Sequence, residues 1–538
     1  MKIQSIIAAA ALAVIACACA PKGSYGNPDA QQVYIGENIA VAPTQYGKVR
    51  GFIMRDIYCF RGIPYGGDTS GENRFMPPTA PQSWEGVRPC VFWPASSPQD
   101  FYDRSTESYG AFVDHWNYDV LSEDCLRLNL WTPAIGDGAK RPVLVWLHGG
   151  GFSRGNGIEQ DGYNGENISR YGDIVYISIN HRLGPLGYAD FAAVGGEQFA
   201  HSGNVGMLDI VAALQWVHDN IEAFGGDPDN VTVMGQSGGG SKVCMACAMP
   251  AAKGLVHKGV ALSGNSTRGN SKEYSEALGA EIFKLGGSDM KKLQQMPWEE
   301  YFKIAFQAQN NIANLKGQRG GFSPVSDGLD LPENFFDPED ATVPDVPMLF
   351  CSTFHEWNVD RDNPEMELWT ADDAVKYLER SYGPKTREIF DAYSNLFPEA
   401  SPVEIVTMIG SNRSGVVHSA DVKSAQKSPV YMAWFGMGSP LFDGRHRAFH
   451  CSDISFWFLN TDLMITHTGG GKRPRTLSYK MADALLAFMR TGNPNCKALP
   501  AWPEYEPEQG MTMVLNEKCE VVPDPDRAAR KVLETAWR

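Results

Sequence analysis

Val231-Thr232-Val233-Met234-Gly235-Gln236-Ser237-Gly238-Gly239-Gly240 is the stretch on which the reading of this chain turns. A short apolar run reads as a buried strand. It stops at a serine set among glycines, and a helix-like run of small residues continues towards Pro250. Such a strand–turn–helix bends the backbone sharply and leaves the serine on top, which is why its neighbours must be small. The G-x-S-x-G pattern is weak alone, and it occurs a second time at Gly151-Phe152-Ser153-Arg154-Gly155. There the following Arg154-Gly155-Asn156-Gly157 cannot start a stable helix. Ser153 is therefore read as loop, and Ser237 as the candidate nucleophile.

Working outward, Pro142-Val143-Leu144-Val145-Trp146-Leu147 is another unbroken apolar run, and His148-Gly149-Gly150-Gly151-Phe152 follows it directly. Consecutive glycines let backbone N–H groups point inward with no side chain in the way. Donors of that kind suit the negative oxygen of a tetrahedral intermediate. Ile174–Ile179, Val260–Leu262 and Val346–Phe350 read as further strands. A helical pattern runs from Met207 to Phe224 and is stopped by Gly225-Gly226-Asp227-Pro228. Thr476 to Arg490 is a late amphipathic helix, and residues 270–345 and 358–445 lean helical. Strands that are apolar throughout are buried on both faces, and their alternation with helices predicts an α/β fold around a large, mostly parallel sheet.

Composition narrows the function classes. Of 538 residues, 43% are hydrophobic and 20% charged, which excludes a disordered, collagen-like or multi-span membrane chain. Acids outnumber bases 63 to 47, so the net charge of −16 argues against a nucleic-acid partner. Lys2 precedes an apolar run from Ile6 to Ala16 that is too short to span a bilayer and reads as a secretory signal. Val14-Ile15-Ala16-Cys17 resembles the bacterial lipoprotein box, with Cys17 as the lipidated first mature residue; ordinary cleavage after Ala18 is the alternative. The expected division is a signal peptide over 1–16, a tether over 17–32 and a single catalytic domain over 33–538. Export to the bacterial cell envelope, periplasm or outer membrane follows. The membrane is then met only through the lipid. Cys244-Met-Ala-Cys247 lies in a small apolar helical segment and reads as buried packing. Asp524-Pro525-Asp526 reads as a surface turn.

Further motifs make a family resemblance specific. Ser122-Glu123-Asp124-Cys125-Leu126-Arg127-Leu128-Asn129, Asn180-His181-Arg182-Leu183-Gly184-Pro185-Leu186-Gly187 and Gly203-Asn204-Val205-Gly206-Met207-Leu208-Asp209 join the two glycine motifs. Phe224-Gly225-Gly226-Asp227-Pro228 and Thr491-Gly492-Asn493-Pro494-Asn495 with Trp502-Pro503 extend the match. The chain resembles the type-B carboxylesterases, the family of carboxylesterases, cholinesterases and bacterial para-nitrobenzyl esterases, from about Val41 to Val522. That resemblance implies an α/β-hydrolase fold with helical insertions above the active site. It also implies a serine hydrolase that works through an acyl-enzyme, with Ser237, an acid and a histidine in that order.

On the same resemblance the acid is Glu356, at the end of Val346-Pro347-Met348-Leu349-Phe350-Cys351-Ser352-Thr353-Phe354-His355-Glu356, with Asp327 as the second candidate. The histidine is His450, three residues before Asp453. His446, between two arginines, reads as a surface residue, and His355 adjoins Glu356 too closely to pair with it. The oxyanion donors are the N–H groups of Gly150, Gly151 and Gly238. Gln236 stands where the family usually has Glu, which removes a negative charge beside His450 and predicts poor turnover of cationic choline esters. Gly238 replaces the usual Ala and is expected to free space. The usual partner of Cys125 aligns with Ser97 and Cys90 lies seven residues away, so the family's disulfide is not carried over; were Cys125 bonded, Cys90 would be its expected partner. Trp116, Phe152, Phe354, Trp357, Trp457 and Phe458 flank these segments and, with Gln236, are the candidate pocket residues for an aryl or alkyl ester. No cofactor or metal motif is present, so neither is expected. The predicted partner is a neutral small-molecule ester. An amidase, a thioesterase or a sterol-ester lipase would use the same groups, and a catalytically silent binding protein would use the same scaffold.

Overall fold

A computed structural model of the chain describes residues 26–27, 29–100, 112–113, 117, 120–316, 320–357, 360 and 362–536. The lipidation candidate Cys17 and the pocket candidate Trp116 lie outside the described residues.

Twelve strands form one sheet: β1 (Val33–Tyr34), β2 (Phe52–Met54), β3 (Ile57–Pro64), β4 (Arg127–Thr132), β5 (Arg141–Leu147), β6 (Val175–Ile179), β7 (Gly226–Gln236), β8 (Lys258–Leu262), β9 (Met348–Thr353), β10 (Val430–Phe435), β11 (Met511–Leu515) and β12 (Glu520–Pro523). Their spatial order is β1-β2-β3-β4-β6-β5-β7-β8-β9-β10-β11-β12. From β6 to β11 every pairing is parallel, while both ends of the sheet are antiparallel. A smaller sheet of Val41–Thr44, Gly47–Arg50 and Val87–Pro89 lies beside it.

The unbroken apolar runs are explained by burial on both faces. In β5, Val143, Val145 and Leu147 join one core and Leu144 and Trp146 join the other. β8 divides in the same way, Ala261 to one side and Val260 and Leu262 to the other. The period-two alternation of a strand is thus present but invisible to a hydropathy scan. The fold class read from the sequence, an α/β-hydrolase with a large, mostly parallel sheet, is the one observed. The sequence reading did not anticipate β1–β4, β10–β12, the smaller sheet or the burial of Asp524 and Asp526. β10, Val430-Tyr431-Met432-Ala433-Trp434-Phe435, falls within the helix-leaning region. Asp524 and Asp526 are not a surface turn: Asp526 is 1% exposed and pairs with buried Arg413, while Asp524 pairs with Arg530.

Parallel strands carry the functional segments to one edge. Gly235 of β7 sits opposite Leu147 of β5, so the residues after both strands emerge side by side. β9 lies one strand further, beyond β8, and its end leads to Glu356.

Candidate active site

Ser237 occupies the turn between β7 and the helix Gly238–Ala246, at φ +58° and ψ −126°. Few residues with a Cβ adopt such a conformation, and it persists here because the turn is pinned on both sides. The Ser237 N–H donates to Leu262 O at 2.8 Å, and Ser241 N–H donates to Ser237 O at 3.1 Å. The neighbours are small for a steric reason. A Cβ on Gly239 would lie 2.0 Å from Leu147 O, and one on Gly264 would lie 2.1 Å from Ser237 O.

The candidate acid and the candidate histidine meet two strands away. His450 Nδ1 lies 2.5 Å from Glu356 Oε2, and the His450 N–H donates to Glu356 O at 2.6 Å. Glu356 Oε1 accepts from Thr353 N–H at 2.9 Å, and the carboxylate is buried. A carboxylate so placed favours the tautomer with the proton on Nδ1, which leaves Nε2 with a free lone pair.

The imidazole is sandwiched. Trp357 stacks on one face, with ring centroids 4.1 Å apart and planes inclined at 30°. Gln236 Nε2 lies 3.3 Å from Nδ1 and 3.2 Å from Nε2. An atom almost equidistant from both nitrogens cannot lie in the ring plane without striking Cε1, so the amide covers the other face. Cys451 S–H donates to Gln236 Oε1 at 3.1 Å, which orients the amide. Among the described residues Ser237 Oγ makes no hydrogen bond to His450. Such contacts are commonly loose before substrate binds, and the in-plane approach to Nε2 is not taken by Gln236.

Asp453 is fully buried behind this pair. Burial pushes its carboxyl up to about 7, the Trp457 N–H bond pulls it down, and the charge of Glu356 adds to the rise.

Gly150 and Gly151 follow β5 with φ of +76° and +61°. Gly150 O accepts from Ser153 and Arg154 N–H, closing the loop into a turn. Gly238, the first residue of its helix, has no carbonyl one turn back to receive its N–H. The expectation that Gly238 frees space is corrected: a Cβ there would meet Gly151 O at 2.1 Å. Glycine at 238 is what allows the loop and the helix to approach.

Other candidates are placed elsewhere. Phe354 packs on Trp434 at 4.0 Å between two cores. Trp457 and Phe458 are buried, the latter edge-on to Trp146 and Tyr176. Trp457 and Phe458 are core residues, and Phe354 is partly buried against the edge of two cores. Phe152 is half-buried and meets Tyr188 edge-on at 5.5 Å. Asp327 closes a turn, its Oδ1 accepting from the N–H groups of Leu329, Asp330 and Leu331. His355 is buried and held down to about 3 by burial and Arg447. His446 is fully buried against Phe442 and Phe449 rather than on the surface. Cys90 and Cys125 are free thiols. Burial pushes the Cys125 thiol up to about 12 against a hydrogen bond with Ser97, the residue standing where the family has its partner cysteine.

A cavity of about 710 Å³ adjoins the glycine loop. It is lined by Ser153, Arg154 and Pro185, by the rings of Trp298, Phe302, Phe306 and Phe322, and by the charged Asp100, Glu299 and Lys303. The sequence reading did not nominate these rings. Their signal was the i, i+4 spacing of Trp298, Phe302 and Phe306 along the helix Trp298–Lys316. No group of three or more metal-ligating side chains occurs among the described residues.

The carboxylesterase family is matched over residues 38–532. The para-nitrobenzyl esterase of Bacillus subtilis is 32% identical over 512 residues, spanning 92% of this chain and 98% of that protein. The phenmedipham hydrolase of Pseudarthrobacter oxydans is 31% identical, spanning 92% and 99%. Among solved structures, an esterase of Clostridium hathewayi described as hydrolysing aliphatic aromatic polyesters superposes with a TM-score of 0.81 at 32% identity, covering 94% of this chain and all of that one.

Proposed function

The chain belongs to the carboxylesterase family and hydrolyses carboxylic esters, and from that premise we propose that Ser237, His450 and Glu356 are its triad and neutral esters with apolar or aromatic parts its substrates. Ser237 Oγ attacks the ester carbonyl while its proton passes to His450 Nε2. Glu356, bonded to Nδ1, stabilises the imidazolium. The oxyanion is received by the N–H groups of Gly150, Gly151 and Gly238, each such donor contributing about 2.7–4 kcal/mol. His450 then protonates the departing alcohol, and water releases the acid by the same steps in reverse.

The observation that carries this reading is the 2.5 Å contact of His450 Nδ1 with buried Glu356, at the sheet edge where Ser237 is held in a strained turn. The ring-lined cavity beside the glycine loop supports an apolar or aromatic substrate part. The uncharged amide of Gln236 on the imidazole supports neutral over cationic esters.

The test is labelling with a fluorophosphonate, which should modify the wild type and not Ser237→Ala. Glu356→Gln should lower kcat by roughly 10³–10⁴-fold. A panel of p-nitrophenyl esters, anilides and thioesters should show the esters turned over fastest. Equal turnover of a choline ester and its neutral isostere would overturn the substrate assignment. We further propose that the mature protein is held at the bacterial cell envelope by a lipid on Cys17, a reading supported by the apolar run and the Val14-Ile15-Ala16-Cys17 box.

A further inference from the structure

Lys242 is fully buried, and the mechanism above does not use it. It sits on the helix Gly238–Ala246, the helix that begins with an oxyanion donor. Its Nζ donates to His148 O at 3.0 Å and lies 5.6 Å from the centroid of the Phe152 ring. His148 and Phe152 are the residues immediately before and after Gly149-Gly150-Gly151. One ammonium therefore touches both ends of a loop whose glycines provide no side-chain anchor of their own.

The placement is costly. Taking an ammonium out of water is strongly unfavourable unless it is paired, and Lys242 forms no ion pair among the described residues. Burial pushes it down to about 7, with Glu159 pulling the other way. The groups around it are His148 and His181, stacked at 4.9 Å, and Glu159, which accepts from Tyr163 O–H at 2.7 Å. Both histidines are held well below the usual imidazole range by burial and by the charge of Lys242. A methionine of similar length would fill the space without the desolvation cost, so the fold itself does not require the charge.

We propose that Lys242 is a positioning residue for ester hydrolysis, strapping the loop that carries Gly150 and Gly151 to the helix that carries Gly238 so that all three amides face one point. This inference rests on the triad and oxyanion donors assigned above. The hydrogen bond to His148 O sets one end of the loop, the contact over Phe152 sets the other, and the shared helix sets the distance to Gly238. Substrate itself is not touched by Lys242, so its removal should act on the transition state far more than on binding.

The experiment compares full-length wild type with Lys242→Met and Lys242→Gln. In Lys242→Met, kcat should fall about 10- to 100-fold with KM within about threefold, as expected when reacting groups are slightly misplaced. Affinity for an arylboronic acid, which forms a tetrahedral adduct on the serine, should fall by the same factor as kcat. Lys242→Gln keeps an N–H for His148 O and should recover part of the loss; it also carries the test if the Met variant does not fold. A folded variant with kcat and boronate affinity within threefold of wild type overturns the proposal. So does a loss confined to KM. Failure of the fluorophosphonate to label wild-type Ser237 would instead overturn the parent assignment.

Discussion

Ser237 holds φ +58° and ψ −126°, a region that costs a residue with a Cβ about 1–3 kcal/mol. That strain is tolerated because glycines surround it, and Gly238 is the one most directly tied to chemistry. Gly238→Ala should drive the new methyl against Gly151 O and displace the loop, lowering kcat about 10- to 100-fold while leaving the far-ultraviolet circular dichroism unchanged. Asp453 is a second residue with a measurable consequence. Its folded-state carboxyl is raised to about 7, so between about pH 4 and pH 7 the native protein keeps a proton that the unfolded chain gives up. The stability it contributes is complete below about pH 4 and is lost as pH rises to about 7. Asp453→Asn cannot ionise, so its Tm relative to wild type should rise by roughly 2 °C between about pH 5 and pH 8. At this scale Ser237 was legible from its neighbours in the chain. Gln236 beside His450 was expected from the family resemblance, but the stacking of Trp357 on the ring and the bond from Cys451 to Gln236 were not, since these residues come from segments that meet only through the sheet.

At the scale of elements, β5, β6, β8, β9 and the second half of β7 were readable because a strand buried on both faces is apolar at most positions. β10 has the same signature, yet it was taken into a helix-leaning stretch because the segments before it carry helical periodicity and no Gly-rich break precedes it. The helix Val205–Asn220 is fixed to the segment after β6 by one buried pair. Arg182 donates to Asp209 through its backbone N–H, Nε and Nη2, and its Nη1 reaches Met76 O. Asp209→Ala leaves that guanidinium buried without its partner and should lower stability by about 3–5 kcal/mol, read as a lower denaturant midpoint with an unchanged slope. The ring-lined cavity is also an element-scale feature. Trp298, Phe302 and Phe306 share one helix face, and only the tertiary structure brings that face together with Ser153 and Arg154, which follow the glycine loop.

At the scale of the whole molecule, parallel pairing from β6 to β11 brings residues far apart in sequence to one edge of the sheet. The net charge of −16 draws cations towards the protein at long range, whereas Gln236 offers them no charge at the imidazole. If Cys17 carries a lipid, Cys17→Ser should move the protein from the membrane fraction to the soluble fraction and leave kcat on a soluble ester unchanged. Fractionation with fatty-acid labelling checks this. What the sequence determined by itself was the turn at Ser237, the bare glycine loop and the apolar strands leading into them, because each is a requirement on contiguous backbone. Only the tertiary structure decided that Trp457 and Phe458 fill the core, that Trp357 covers the imidazole and that Lys242 reaches the glycine loop. The direction a side chain faces is set by what packs against it, and here the packing partners come from distant parts of the chain.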